Sequence, residues 1–574
     1  MRLKGTQILK EVLREEEVEV VFGLPGGTVI DIYDELLGSE IRNIVVRHEQ
    51  AAVHAADGYA RAAGKVGVSL VTSGPGATNT VSGIASAYMD SVPLVVLCGQ
   101  VPTYLIGNDA FQEVDISGIT RPCTKHNYLV RRVEDLARIL KEAFHIARSG
   151  RPGPVLVDLP KDVMCARTRY RPVERLELKS YRPVYDPKCK PLARAVELIG
   201  RSRRPLVLAG GGVLLSGASA ELRAFARKIR APVTSTLMGL GAFPASDPLW
   251  IGMLGMHGTR AANMSTASCD LLIAVGARFD DRVTGKVDAF ARQAEIIHID
   301  IDPTSIRKNV PATVPIVGDC RVALQKLNRL LARDNGSPPE SRQAWLREID
   351  AWKRGQVRYR RRENVIKPQQ VIEELFRLTA GEAIITTEVG QNQMWTAQYY
   401  PFDEPNRLIT SGGLGCMGFG LPAAIGAQVA SPDRLVVDVA GDGSIQMNIQ
   451  ELATAVQYGL PVKVVILNNR YLGMVRQWQE LFYDRRYAGT PVDVAPDFVK
   501  LAEAYGAQGL RALTPDEVVP VLEKGLCSRK PALMDFRVAR EEGVYPMVPA
   551  GAPLTRMLTA PGEEDLLEGP ARRA

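Results

Sequence analysis

The sequence predicts an α/β protein of three domains built on parallel sheets, and three observations carry that expectation. Short apolar runs alternate with helical stretches along the whole chain. Several of these runs are apolar nearly throughout, as strands buried on both faces of a parallel sheet are. Many end in Gly, Asn or Asp, where a loop leaves the carboxyl edge of a strand, and that edge is where open α/β sheets bind ligands.

Length supports the domain count. A chain of 574 residues exceeds one hydrophobic core, and at roughly 100–200 residues per domain it should hold about three. Composition is that of a soluble globular protein, 46% hydrophobic and 24% charged. The 71 Lys and Arg are interspersed with 64 Asp and Glu, leaving a formal charge of +7, so no nucleic-acid partner is expected. The eight cysteines are spread singly without a CxxC, which excludes a zinc ribbon or dithiol motif. Most read as small buried residues of a reducing compartment. Glu15, Glu16 and Glu17 argue against a transit peptide. No apolar run approaches the ~20 residues of a membrane span. A cytoplasmic location is the expectation.

Along the chain, an amphipathic helix leads into a strand, and Ile44–Val46 is the next. Further strands are expected at Val66–Val71, Leu94–Leu97, Val155–Leu159, Leu206–Leu208, Leu271–Val275, Ile296–Ile301, Ile384–Thr387, Leu435–Val439, Val462–Leu467 and Leu533–Phe536. Proline and charge replace the apolar pattern at Arg169–Pro191 and Asn335–Lys367, which read as linkers. The cluster Arg358, Arg360, Arg361 and Arg362 reads as a solvated helix face. The resulting domains are 1–165, 190–340 and 368–545, followed by a tail, 546–574. From Pro549 onward the tail carries Gly, Pro and charge, and it is expected to order only against a partner.

The strongest motif lies in the third domain. A strand ends in Gly441-Asp442-Gly443, and after 24 intervening residues a second strand ends in Asn468-Asn469. Gly441 and Gly443 let a ligand approach the backbone closely. Asp442 and Asn469 bring two hard oxygen ligands to one edge, and Mg²⁺ favours octahedral oxygen coordination completed by water or phosphate. A helix beginning near Ser444, with Asn448 near its entry, would aim backbone amides at a diphosphate. No Walker loop occurs. GDG alone would be a turn and NN alone a loop. Paired after two apolar strands, they resemble the signature of thiamine-diphosphate-dependent enzymes.

In the first domain, Glu49 opens an Ala-rich helix, where a lone glutamate is ordinarily a helix-start charge. The resemblance gives it a sharper role, since in that family a glutamate here bonds the pyrimidine ring and helps activate the cofactor. His48 and His54 make no zinc site, because HExxH is not matched. Leu24–Gly27 and Thr72–Asn79 are Gly-rich loops that could approach a flat heterocycle, though either could be a plain turn. A rival motif is Gly413–Gly418, a GxGxxG with Asp438 twenty residues on, the spacing of a dinucleotide fingerprint. Pro422 is expected to disrupt the helix that fingerprint requires. The resemblance instead sets Gly415 and Met417 beside the thiamine rings.

Longer stretches narrow the resemblance to the large, catalytic subunits of acetolactate synthases (acetohydroxyacid synthases). They are LPGG at 24–27, RHEQAA at 47–52, LVTSGPGATN at 70–79, GQVPT at 99–103, DAFQE at 109–113, RPGPVLVDLPKDV at 151–163, GMHG at 255–258, GARFDDRVTG at 276–285, GDGSIQMNIQEL at 441–452 and LNNRYLGMVRQWQ at 467–479. The resemblance implies three flavodoxin-like or Rossmann-like domains of the thiamine-diphosphate-binding fold, active sites shared across a homodimer, and a regulatory small subunit. It implies a transferase that decarboxylates pyruvate and joins the two-carbon unit to pyruvate or 2-ketobutyrate, in branched-chain amino-acid biosynthesis. Thiamine diphosphate falls to Glu49, Pro75, Asn79, Gly415, Met417, Gly441, Asp442, Gly443, Ser444, Asn469, Tyr471, Gly473 and Met474, with Mg²⁺ on Asp442, Asn469 and the Tyr471 backbone carbonyl. FAD, without net redox chemistry, falls to Arg151, Gly210, Gly211, Gly212, Met256, His257, Gly258, Gly276, Arg278, Asp300, Ile301 and Asp319. These could also be plain strand-end loops. Gly27, Gln112 and Lys161 are placed near the substrate. Arg278 could bind a ketoacid carboxylate, and Trp478 could form a wall of the acceptor pocket or simply pack in the core. Ile445 stands where many relatives carry an aromatic residue, and Arg470-Tyr471 is a variable pair. Pyruvate oxidase, glyoxylate carboligase and a non-enzymatic cofactor-binding protein are the competing readings.

Overall fold

The computed structural model describes residues 2–333, 341–357, 359–560 and 563–566. Three six-stranded parallel sheets organise the chain. The first contains β1 (Val20–Leu24), β2 (Arg42–Val45), β3 (Gly67–Val71), β4 (Leu94–Gln100), β5 (His126–Leu129) and β6 (Pro154–Pro160). The second contains β7 (Pro205–Ala209), β8 (Val233–Ser235), β9 (Trp250–Met253), β10 (Leu271–Val275), β11 (Glu295–Asp300) and β12 (Val314–Val317). The third contains β13 (Ile384–Thr387), β14 (Leu408–Thr410), β15 (Val436–Gly441), β16 (Lys463–Asn468), β17 (Gln508–Ala512) and β18 (Ala532–Arg537). All ten expected apolar runs form strands, and their side chains are buried on both faces, each fully buried Val, Leu or Ile contributing about 1.5–3 kcal/mol.

Strand order separates the domains into two kinds. The first and third sheets run β2-β1-β3-β4-β6-β5 and β14-β13-β15-β16-β18-β17, one topology used twice. The middle sheet runs β9-β8-β7-β10-β11-β12, the order of dinucleotide-binding sheets. In each sheet the order reverses beside the first strand, and ligands bind at such a switch point. These points lie between β1 and β3, between β7 and β10, and between β13 and β15.

The linkers and tail differ from the expectation. Within Asn335–Lys367, a helix spans Ser341–Arg354 and buries Trp345 and Ile349 in a core cluster of the middle domain. The Arg342 guanidinium donates to the carbonyls of Ile199, Ser202 and Ile229, capping two helix ends. Arg360, Arg361 and Arg362 lie outside any helix, and Arg361 pairs with Glu373 and Glu374; Arg358 lies outside the described residues. The tail packs Val548, Ala552, Leu554 and Met557 onto the middle domain, so this stretch needs no partner to order it; residues 567–574 lie outside the described residues. Apolar contact the sequence does not foretell thus adds both segments to one core. Cysteine burial is also less uniform than expected, since Cys165, Cys189 and Cys527 are exposed. No helix among the described residues is long and apolar enough to cross a membrane.

The first and third domains pack through two helices, Glu49–Ala63 and Gly420–Ala430. Contact is close and reciprocal: a Cβ on Gly58 would sit 2.1 Å from the Ala423 carbonyl oxygen, and one on Gly426 would sit 1.8 Å from that of Ala55.

Candidate active site

At the third sheet's switch point, β15 delivers Asp442 into the interior, 1% exposed. Neither carboxylate oxygen has a hydrogen-bond partner. Burial pushes its pKa up to about 6, against the pull of the Asp442 and Asn469 backbone amides. A buried, unpaired carboxylate is costly unless a cation joins it. Asn469, at the end of β16, accepts a hydrogen bond from the Tyr471 amide at 3.0 Å and donates one to Gln391 at 3.2 Å, which fixes its amide plane. Among the described residues no group of three His, Cys, Asp or Glu could hold a metal. The oxygen set is one carboxylate with neutral amide and carbonyl groups. That suits Mg²⁺ completed by phosphate oxygens and water, so the residues present fit a magnesium diphosphate.

The helix expected from Ser444 is not there. Short 3-10 turns occupy Ile445–Met447 and Ile449–Glu451, and the α-helix begins only at Leu452. The Ser444 hydroxyl turns back to the Gly441 carbonyl, and Asn448 donates to the Gly418 carbonyl instead of opening a helix. The cradle therefore rests on the GDG turn, not on a helix dipole. Gly443 is required by Leu472, whose methyl a Cβ would meet at 2.6 Å, and a Cβ on Gly473 would strike the Gln391 side chain. Met474 packs against the domain's core cluster.

One loop escaped sequence reasoning. Glu388–Gly390 follows β13 at the same switch point and leads into the helix Gln391–Tyr399. Asn392 donates to the carbonyls of Glu388 and Val439, both at 2.8 Å, and Gln391 holds Asn469. Its signal was available: the segment TEVGQNQ ends an apolar strand in a Gly, as GDG does.

The Gly413–Gly418 loop departs from a dinucleotide fingerprint for a reason other than Pro422. That proline sits in the first turn of the Gly420–Ala430 helix without breaking it, as prolines there can. The anion position is instead taken by the protein itself: the Glu388 carboxylate accepts from the amides of Gly418, Gly420 and Leu421 at 2.6, 2.9 and 3.3 Å. Asp438 is fully buried beneath Gly420 and bonds Thr386, so it is not placed to receive a ribose. Gly415, with φ of +73°, and Met417 stand at the exposed and half-exposed turn of this loop.

At the first sheet's switch point the Gly-rich loops meet. Thr28 bonds Thr72 and the Ser73 amide, a Cβ on Gly74 would meet the Gln112 backbone, and Lys161 donates to the Gly27 carbonyl at 3.2 Å. Glu49 is 8% exposed and accepts from Asn79 at 2.9 Å; Pro75 starts the short helix that ends at Asn79. His48 caps the Glu49 helix by accepting from the Gln50 amide. Within one chain this helix reaches the third domain through Gln50 and His54, which contact Cys416, and through the Arg47 amide, which donates to Glu451.

In the middle domain, Gly210, Gly212 and Gly276 meet at the switch point between β7 and β10. The Gly212 amide donates to the Gly276 carbonyl, and a Cβ on Gly210 would lie 2.1 Å from that oxygen. Gly211 abuts Met238, and a Cβ on Gly258 would meet the Gly255 amide nitrogen at 2.5 Å. Met256 and His257 are buried against the tail, and burial lowers the His257 pKa to about 4. Asp319 caps a helix by accepting from Val322. Arg151 pairs with Asp302, whose amide donates to Asp300 at 2.8 Å, and burial pushes Asp300 up to about 6. A cavity of ≈ 360 Å³ beside them is lined by Lys125, Arg151, Ile301 and Asp302. A larger cavity of ≈ 410 Å³ at the junction of the domains takes in Arg61, Asp90, Gly211 and Met238. Arg278 faces Arg151, Asp90, Asp280 and Asp300, and burial lowers its pKa. The guanidinium over Trp478 belongs to Arg282, 5.8 Å from the ring, with Phe482 edge-on at 6.1 Å. Arg282 was missed, four residues beyond Arg278 in the same stretch.

Comparison with known proteins points to one family. Family models match as the N-terminal thiamine pyrophosphate binding domain over residues 3–119, the central domain of thiamine pyrophosphate enzymes over 192–327, and their C-terminal thiamine pyrophosphate binding domain over 388–536. The chain is 48% identical over 570 residues to an acetolactate synthase large subunit of Haemophilus influenzae, covering 98% of this chain and 99% of that one. It is 50% identical to the acetolactate synthase isozyme 3 large subunit of Escherichia coli over 97% and 98% of the two chains. A probable acetolactate synthase large subunit of Methanocaldococcus jannaschii is 47% identical over 97% and 95%.

Proposed function

The chain belongs to the family of acetolactate synthase large subunits, thiamine pyrophosphate enzymes, and from that premise we propose how its own residues serve the family reaction. Two pyruvates give 2-acetolactate and CO₂; pyruvate with 2-ketobutyrate gives 2-aceto-2-hydroxybutyrate and CO₂. These are steps towards valine, leucine and isoleucine. Bound thiamine diphosphate supplies the carbon that carries the two-carbon unit after CO₂ leaves.

The observation that carries this reading is the unpaired buried carboxylate of Asp442 beside a fixed Asn469. Asp442, Asn469 and the Tyr471 carbonyl would hold Mg²⁺, with Gly441, Gly443, Ser444 and Gly473 lining the diphosphate. Gly415 and Met417 would border the rings. Glu49, held by Asn79, would bond the pyrimidine and move its proton. Its chain-mate contacts with the third domain run through Gln50 and His54, which supports a homodimer in which Glu49 serves the partner's diphosphate loop. Arg282 would bind the acceptor carboxylate and Trp478 would wall its alkyl group; Gly27, Gln112 and Lys161 would line the entrance. FAD would lie along the middle domain's switch point, across Gly210–Gly212, Gly276 and Arg278, with Arg151, Asp300 and Ile301 toward one end and Met256–Gly258 toward the other. The relatives' names as large subunits support a small regulatory partner, and eight free cysteines suit a cytoplasmic location.

The test is acetolactate formation by the purified chain given pyruvate, thiamine diphosphate, Mg²⁺ and FAD. Acetolactate without flavin reduction is expected. CO₂ release with a bleached flavin and no acetolactate would move the chain to an oxidase branch.

A further inference from the structure

The loop that presents Met417 is anchored at its C-terminal end by a group to which the reaction assigns no part. Glu388 is fully buried, and three backbone amides converge on its two oxygens: Gly418 on one, Gly420 and Leu421 on the other. The same residue's carbonyl accepts from Asn392, which also bonds Val439, three residues before Asp442. The opposite face of Gly418 is fixed by Asn448, whose amide donates to its carbonyl at 2.7 Å. Gly418, at φ +87°, could not be replaced without strain, and a Cβ on Gly420 would strike both the Glu388 amide and Asp438. A carboxylate, bonded by three amides, is a stronger anchor than a neutral acceptor.

We propose that Glu388 is a positioning residue for the cofactor, its carboxylate setting the Gly413–Gly418 loop that carries Gly415 and Met417, while its backbone carbonyl is tied through Asn392 to the strand that leads into the Gly441–Gly443 turn. The inference rests on the thiamine-diphosphate reading above. Burial pushes the pKa values of Glu388 and Asp438 up, in opposition to the amides at Glu388. Asp438 lies beside it with one oxygen unpartnered, and the three amides that converge on Glu388 are what favour its carboxylate form.

Glu388→Gln tests the anchor, because it keeps the shape but turns an NH₂ toward one of the amides. Titration of thiamine diphosphate with Mg²⁺ into the cofactor-free full-length chain by calorimetry reads binding directly. Hydrogen exchange of residues 413–421 reads the loop, and thermal melting without cofactor reads the fold. The expected result is cofactor affinity weakened about tenfold or more, faster exchange confined to the loop, and little change in melting temperature. Glu388→Asp, which withdraws the carboxylate by one methylene, should show the same pattern and serves if the Gln variant does not fold. A variant with wild-type affinity and exchange would overturn the proposal, as would loss of fold in both variants, which would make the residue a core group only. Wild-type chain that fails to bind the cofactor would instead sink the thiamine reading, and this proposal with it.

Discussion

The first and third domains share one strand order and one mutual contact, yet divide the chemistry between them. Each places Gly-rich loops at its switch point and a buried glutamate nearby, Glu49 in one and Glu388 in the other. Glu388 is enclosed by three amides. Glu49 has one side-chain partner, Asn79, with its second oxygen near the Gly76 position. A carboxylate with its acceptor sites filled serves structure, and one left partly open can serve a ligand. Asp442 carries the contrast further, with no side chain bonded to either oxygen. On the proposed reading, the same topology would serve as a metal and diphosphate edge in one copy and a proton-handling edge in the other, by the choice of a few strand-end residues.

Exchanging those residues should expose the division most sharply. Glu49→Gln is expected to lower kcat by about 10²–10⁴-fold, the range of a lost proton-transfer group, with thiamine-diphosphate affinity held within a few-fold. Asp442→Ala should do the reverse in kind, weakening Mg²⁺–diphosphate binding by about 100-fold and restoring part of kcat at saturating cofactor. Steady-state rates across a cofactor titration separate the two. Equal loss of affinity in both variants would abolish the proposed division of labour.

The reciprocal helix contact offers a second break. Gly426→Ala places a methyl 1.8 Å from the Ala55 carbonyl, and Gly58→Ala one 2.1 Å from that of Ala423. Backbone must move, so each should cost about 3 kcal/mol, with Gly426→Ala the worse of the two. Denaturant unfolding measures this, and an unchanged midpoint would show the two domains to be independent.

Much of this was legible before any coordinates. Ten of the twelve interior strands were found as apolar runs because strands covered on both faces must be apolar. The edge strands His126–Leu129 and Gln508–Ala512 were not, since one flank of an edge strand is unpaired and its side chains are half-exposed and partly polar. Asp442, Asn469 and Glu49 stood out by motif. Gln391, Asn392 and Arg282 did not, because their importance lies in which strand ends the sheet order brings together. The helix expected at Ser444 failed because the GDG turn feeds a 3-10 segment, a local choice that apolar spacing does not report. Helix Ser341–Arg354 was read as linker because its charge masks the two buried apolar residues, Trp345 and Ile349, that dock it.

Acidification should separate the domains more gently. His54, on the Glu49 helix, is buried against Phe419 and Cys416, and burial with nearby Arg61 lowers its pKa to about 3. Its unfolded value is near 6.5, so between these the unfolded chain binds the proton and the native one does not. The stabilisation is fully present above pH 6.5 and is lost as pH falls towards 3, by about 2 kcal/mol between pH 7 and 5. His54→Gln should flatten that portion of the stability curve. An acid limb identical in variant and wild type would mean that His54 does not report on this contact.

The smallest effect is expected where the middle and third domains meet. Arg282 and Trp478 join across that boundary at 5.8 Å, a cation held over an indole face, and the pair presents charge and apolar surface together, as a ketoacid acceptor requires. One methylene in an apolar pocket is worth about 1–3 kcal/mol. Trp478→Leu should therefore shift the ratio of the two products, measured with pyruvate and 2-ketobutyrate in competition, by about tenfold towards acetolactate, with total turnover little changed. Arg282→Lys keeps the charge but loses the bidentate fork, so it should raise the requirement for both acceptors alike and leave their ratio intact. A product ratio unmoved by Trp478→Leu would return that residue to ordinary packing against Phe482, and a ratio moved by Arg282→Lys would show that charge and shape are not read separately at this boundary.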